Sequence, residues 1–174
     1  MYKRILLAYD GSTEGRTALR EGALLALQCR AQVFLLSVVV DSGGFRLAEG
    51  VHAGTIAQAE DAFVSVLQEG VARLRQLGFD PVAKLVRGEP ALEIGAFARE
   101  VGADLIVVGH QRQSTFARWW SGHSGAYLMD HTDCSLMIAR NLISDEAFKA
   151  ALLAESMNEV PTGGGREVNL GPRS

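Results

Sequence analysis

The chain has 174 residues, a net charge of −3, and acids and bases mixed along its length. That length fits one domain with an appendage, and a hydrophobic fraction of 48% allows a substantial core. The scattered charge argues against a broad nucleic-acid-binding face, and no stretch approaches the roughly 18 continuous apolar residues that a membrane-spanning helix needs.

Met1-Tyr2-Lys3-Arg4 passes directly into Ile5-Leu6-Leu7-Ala8. That run is too short for the apolar region of a signal peptide and has no small-residue cleavage site, so a cytoplasmic protein is expected. Short apolar runs then alternate with helical patterns: Ile5–Tyr9, Val33–Val40, Val82–Val86, Leu105–Val108 and Leu136–Ala139. Unbroken apolar runs suit parallel strands buried on both faces. Lys84 interrupts the third run and predicts a strand nearer a sheet edge.

Between the first two strands, Ala18, Gly22, Leu25 and Cys29 recur at helical spacing, and Ser12 or Thr13 is placed to cap that helix. Ile56, Ala59, Phe63, Val66, Leu67, Val71 and Leu74 mark a longer helix ending near Gly78. Pro90 suits the first turn of a third, with Ile94, Phe97 and Val101 facing inward. A fourth follows Gly122, through Ala126, Tyr127 and Met129. Asp41 to Gly54 is a long glycine-bearing loop, read either as a flap over the carboxyl end of the sheet or as an insertion. After Arg140, Asp145 to Glu155 reads as a short amphipathic helix, and Met157 to Ser174 as a disordered tail. The expected division is a domain over 1–141 and a C-terminal extension over 142–174.

Strand, helix, strand in repetition predicts a doubly wound α/β fold: a parallel sheet with right-handed crossovers and helices on both faces. Ligands in such sheets bind beyond the carboxyl ends of the strands, here in the loops after Tyr9, Val40 and Val108. Asp10 ends the first strand, where a carboxylate accepts from a ribose hydroxyl or a neighbouring backbone N–H. No G-x-G-x-x-G follows it, which counts against a dinucleotide fold. Gly109 ends the fourth strand, and Gly122-His123-Ser124-Gly125 opens the next helix. Glycines admit close approach of a phosphate to the backbone, and a helix N-terminus favours an anion; an ordinary strand exit and glycine cap is the plainer alternative.

Gly122-His123-Ser124-Gly125-Ala126 also invites a serine hydrolase reading through Ser124. Ala126 stands where a nucleophile elbow has its final glycine, however, and no acid and base are identifiable. His110, His123 and His131 match no metal-ligand spacing, and Cys29 and Cys134 read as reduced, buried thiols. Trp119 and Trp120 read as core packing, a partner surface or a shield for the pocket.

Ile5-Leu6-Leu7-Ala8-Tyr9-Asp10-Gly11-Ser12, Arg87-Gly88-Glu89-Pro90 and Ala103-Asp104-Leu105-Ile106-Val107-Val108-Gly109 fall in the order and on the elements of the universal stress protein family, which the chain resembles over about Lys3 to Arg140. The resemblance implies a five-stranded parallel sheet in the order 3-2-1-4-5, Rossmann-like and akin to adenine nucleotide alpha hydrolase folds. It also implies a site at Ala8, Tyr9, Asp10, Val38, Gly109, Arg112, Gly122, His123, Ser124 and Gly125. Asp10 corresponds to the family's ribose-side acid, Val38 to its adenine-contacting valine, and Ala8 stands where a proline is frequent.

ATP-binding members carry Gly-x2-Gly-x9-Gly-Ser/Thr from the end of the fourth strand. Here Gly109 and Gly122 hold the first and third glycine positions, Arg112 replaces the second glycine, and His123 replaces the hydroxyl. Arginine at that position either blocks the phosphate site or supplies it a charge-assisted donor. The expectation is a non-enzymatic stress-response module with an altered or vestigial nucleotide pocket. Such a module requires no cofactor and acts as a homodimer paired through the fifth strand and through contacts with an unknown protein partner. The alternative is an adenine-nucleotide sensor with ATP or AMP as ligand.

Overall fold

The computed structural model describes residues 1–40, 53–110, 132–140 and 143–158. The elements in chain order are β1 (Arg4–Ala8), α1 (Thr13–Cys29), β2 (Gln32–Val40), α2 (Ala53–Gln76), β3 (Val82–Gly88), α3 (Pro90–Val101), β4 (Leu105–Gly109), β5 (Ser135–Ala139) and α4 (Asp145–Asn158). The strands form one five-stranded sheet in the order β3-β2-β1-β4-β5, and every neighbouring pair is parallel. The expected fold class and strand order are therefore those observed, and β3 is the edge strand that Lys84 foretold.

The core lies in two layers, one on each face of the sheet. On one face Ile5, Leu7, Tyr9, Val33 and Leu35 meet α1 and α2 through Ala18, Ala23, Ala26 and Leu74. On the other, Leu6, Phe34, Leu36, Val38 and Ile106 meet α3 through Ala91, Ile94, Phe97 and Ala98. The alternation follows from the two-residue period of a strand, which sends Leu6 and Leu7 to opposite faces. Ile5, Leu6 and Leu7 are at most 1% exposed, and burying a side chain of that size stabilises the fold by about 1.5–3 kcal/mol.

Local signals explain where the helices begin and end. Ser12 caps α1, its hydroxyl accepting from Gly15 N. At α3, Pro90 occupies the first turn as expected, and the capping group is the Glu89 side chain, which accepts from Leu92 N. That helix closes on Gly102 in the left-handed conformation, φ 60°. Lys84 on β3 lies over the Phe97 ring and pairs with Glu100, so a charged residue sits on a strand by covering α3 with its stem.

Some boundaries differ from the sequence reading. Ala53 and Gly54 belong to α2 rather than to the preceding loop, and Met157 and Asn158 complete α4 rather than open the tail. The helical hydrogen-bond ladder carries past the last periodic apolar residue at each of these ends. Cys29 and Cys134 are free, as read, but half-buried rather than buried. Burial pushes the Cys134 thiol's pKa up, and the nearby Asp104 carboxylate adds to that push, which favours the protonated thiol. The expected fourth helix, Trp119, Trp120 and most of the 41–54 loop lie outside the described residues. Among the described residues no helix is long and apolar enough to cross a membrane.

Candidate functional site

The carboxyl end of the sheet is shaped by what happens just past β1. Gly11 takes a positive φ of 75°, a conformation that costs a residue with a side chain about 1–2 kcal/mol. The turn brings Ser12 back onto Asp10. Asp10 Oδ1 accepts from Ser12 N at 3.0 Å and from Ser12 Oγ at 2.6 Å, while Ser12 Oγ accepts from Gly15 N at 2.9 Å. One carboxylate, one hydroxyl and the first turn of α1 are thus tied into a single chain of hydrogen bonds.

Gly109, at the end of β4, meets the same turn. A Cβ built on it would lie 2.6 Å from the Glu14 carbonyl oxygen and 3.1 Å from Gly15 N, both backbone atoms with little freedom to move. Gly15 itself faces Asp10, and a Cβ there would fall 2.4 Å from Asp10 Oδ1. The end of β4 and the Asp10 turn are therefore in direct van der Waals contact, and two glycines make that approach possible.

The remaining expected residues on the described strands converge on this end. Tyr9 N donates to Leu36 O, and Ser37 Oγ donates to Tyr9 O at 2.7 Å, which fixes the exit of β1 against β2. Continuing the β1–β2 register, in which Ala8 stands opposite Leu36, brings Asp10 level with Val38. Val38 is buried on the α3 face together with Ala8. Ala8, Tyr9, Asp10, Val38 and Gly109 thus all lie at the carboxyl ends of neighbouring strands, with Ala8 and Val38 on the α3 face and the Tyr9 side chain on the opposite one. Arg112, Gly122, His123, Ser124 and Gly125 lie outside the described residues.

Beside this turn stands a charged cluster that the sequence reading did not find. Glu69 of α2 accepts from Arg73 Nε at 2.9 Å and more loosely from Arg16 of α1, at 3.3 and 3.5 Å. Burial alone would raise the Glu69 pKa, but the two guanidinium groups hold it below the usual carboxylate range. Tyr9 is 2% exposed, and none of the described residues gives its hydroxyl a hydrogen bond of ordinary geometry. Burial pushes the Tyr9 phenol's pKa up, against the pull of the neighbouring Arg16. The Glu69–Arg73 spacing of four residues was a readable helix-face signal. Arg16 lies 53 residues from Glu69, and no local pattern joins them. Gly15 carried a quieter signal, since a glycine within a helix weakens it unless something must come close.

Comparison with known proteins adds to this geometry. Residues 1–140 match the sequence model of the universal stress protein family. A Staphylococcus epidermidis protein named for that family is 27% identical over 161 residues, covering 91% of this chain and 96% of its own. A crystal structure of a universal stress protein family member from Burkholderia pseudomallei is 27% identical, with a TM-score of 0.61 over 79% of this chain and 95% of its own. The fold is also shared with a universal stress protein of Archaeoglobus fulgidus solved in complex with dAMP. That protein is 22% identical, with a TM-score of 0.55 over 80% of this chain and 98% of its own.

Proposed function

The chain belongs to the universal stress protein family, and from that premise we propose that it is a non-enzymatic, cytoplasmic stress-response module working as a homodimer through protein contacts, its nucleotide cradle altered from the ATP-binding form. The observation that carries this reading is the state of Asp10. Its Oδ1 already accepts two hydrogen bonds from Ser12, which commits that oxygen to holding the turn at the start of α1 and takes up part of the carboxylate's accepting capacity. The sequence adds Arg112 and His123 where ATP-binding relatives place a glycine and a hydroxyl. A side chain at the second position fills space that a phosphate needs.

The dimer belongs on β5. It is an edge strand, Ile138 on it is 36% exposed, and Leu136 and Met137 are half-buried. An apolar edge of this kind is covered in stable proteins, and a second copy covers it with two-fold symmetry. Sedimentation should show a dimer at micromolar concentration that Ile138→Asp converts to monomer; a monomeric parent chain would sink the assignment.

A second reading, an adenine mononucleotide sensor, is favoured by the convergence of Asp10, Val38 and Gly109 and by the dAMP complex of the Archaeoglobus relative. A monophosphate asks less of the 109–122 loop than a triphosphate does. Calorimetric titration with ATP, AMP and cyclic AMP separates the two. The first reading expects no micromolar ATP binding in the parent chain, and a gain of it when Arg112→Gly and His123→Ser are made together. Micromolar AMP binding that is lost in Asp10→Ala would establish the sensor instead.

A further inference from the structure

The family match ends at residue 140, and α4 begins at Asp145. That helix folds back over the outer surface of α1. Arg20 of α1 donates to the Ile143 carbonyl at 3.1 Å, and its guanidinium lies 5.7 Å from the centre of the Phe148 ring. Between α1, α2 and α4 this leaves a cleft of about 230 Å3, smaller than the roughly 300–1,000 Å3 usual for drug-sized ligands.

The walls of the cleft are of two kinds. Leu19, Leu77 and Phe148 give it an apolar floor, while Arg16, Arg20, Arg73 and Lys149 stand around it. Arg16 and Arg73 share the one carboxylate of Glu69, and Arg16 holds it only at 3.3 and 3.5 Å. A guanidinium carries five N–H donors in a planar fork, so one loosely shared carboxylate uses a minority of those available. Among the described residues, the two guanidinium groups of Arg16 and Arg73 therefore carry more charge than the one carboxylate they share, and they border an apolar surface.

We propose that this cleft binds a small organic oxyanion with an apolar stem, a short-chain carboxylate or phosphate monoester. The stem lies on Leu19, Leu77 and Phe148, and the head is held by the Arg16–Arg73 pair and Lys149. Arginine forks suit both head groups, since each presents two oxygens to parallel N–H donors. The site lies on the helical surface of α1 and α2, next to the strand-end cradle but built from different residues, and does not depend on whether that cradle takes a nucleotide. It would make the C-terminal helix a ligand-holding addition to the family core.

Calorimetry of the full-length chain at low salt, titrated separately with octanoate, octyl phosphate and octanol, tests this. At least one oxyanion should bind, octanol about tenfold more weakly or not at all, and the tighter head group identifies the source of the anion. Lys149→Gln and Phe148→Ala should each weaken the oxyanion by about tenfold. Lys149 is exposed, so its variant tests the site even if Phe148→Ala loosens α4. Octanol binding as well as octanoate, failure of both oxyanions at millimolar concentration, or unchanged binding in Lys149→Gln would each overturn the proposal.

Discussion

The carboxyl end of the sheet and the outer face of α1 and α2 both gather polar groups, and they do so by different means. At the strand ends the work is done by backbone and by short side chains. Asp10, Ser12 and Gly15 lie within six residues of one another, and Gly109 reaches them because β4 pairs with β1. On the helical face the groups are long side chains, Arg16, Glu69 and Arg73, which meet across two helices and keep much of their surface in water. The first arrangement has little room to relax. The second has a great deal, and substitutions should therefore hurt the first corner far more than the second.

The largest effect is expected at Gly109. Its Cβ would strike the backbone of Glu14 and Gly15, and forcing an atom into a filled site costs about 1–3 kcal/mol. Gly109→Ala should lower the midpoint of urea unfolding accordingly; an unchanged midpoint would mean that the β4–α1 contact is looser than the strand pairing implies. Ser12→Ala comes next. It removes the α1 cap and both Ser12 Oγ hydrogen bonds, to Asp10 and from Gly15, with a loss of about 1 kcal/mol within the range known for such caps. Ser12→Asp, which keeps a capping acceptor but sets it against the Asp10 carboxylate, should recover only part of that loss.

The turn at Asp10 and Ser12, like the start of α3, was legible in the sequence because its logic is local. An Asp-Gly-Ser turn at the end of an apolar run, a hydroxyl before a helical stripe, and a proline opening α3 each act within a few residues. The strand order and the sharing of one site by Gly109 and Asp10 came from the family resemblance, since no property of Gly109 itself names its neighbour, and its contact with Glu14 and Gly15 came only from the structure. Of the helical face, only the four-residue spacing of Glu69 and Arg73 was legible. Arg16 meets Glu69 over 53 residues, and Arg20 meets Ile143 over 123. An exposed arginine reads the same in sequence whether it faces water or a cleft. Tyr9 was read as the end of an apolar strand and, through the resemblance, as part of the nucleotide site. That its buried hydroxyl lies beside three charged side chains, with no hydrogen bond of ordinary geometry to a described residue, follows only from where α1 and α2 pack.

Tyr9 sits on the border between the two corners and should respond with the opposite sign. No described residue gives this buried hydroxyl a hydrogen bond of ordinary geometry, and such a group is a liability, so Tyr9→Phe should raise stability by about 1 kcal/mol. The folded chain holds the phenolic proton more tightly than the unfolded chain does, because burial raises its pKa. The parent chain should therefore lose stability as pH rises from the ordinary tyrosine range through the raised value, and Tyr9→Phe should remove that loss. A variant that is less stable at neutral pH would mean that the hydroxyl has a partner after all, and Arg16 is a neighbouring group able to donate.

The smallest effect belongs to Glu69. Its ion pairs with Arg16 and Arg73 are partly exposed, and pairs of that kind contribute about 0.2–1 kcal/mol. Although burial alone would raise its pKa, the two arginines depress it, so the folded state favours the carboxylate. The contribution is then fully present above the ordinary carboxylate range and is lost as pH falls through the depressed value. Glu69→Gln should cost a few tenths of a kcal/mol to about 1 kcal/mol at neutral pH. The difference from the parent chain should shrink toward zero in acid and shrink also in high salt, which screens exposed pairs. A cost of several kcal/mol, insensitive to salt, would instead place this cluster with the rigid strand-end corner, and the contrast between the two surfaces would fail at that residue.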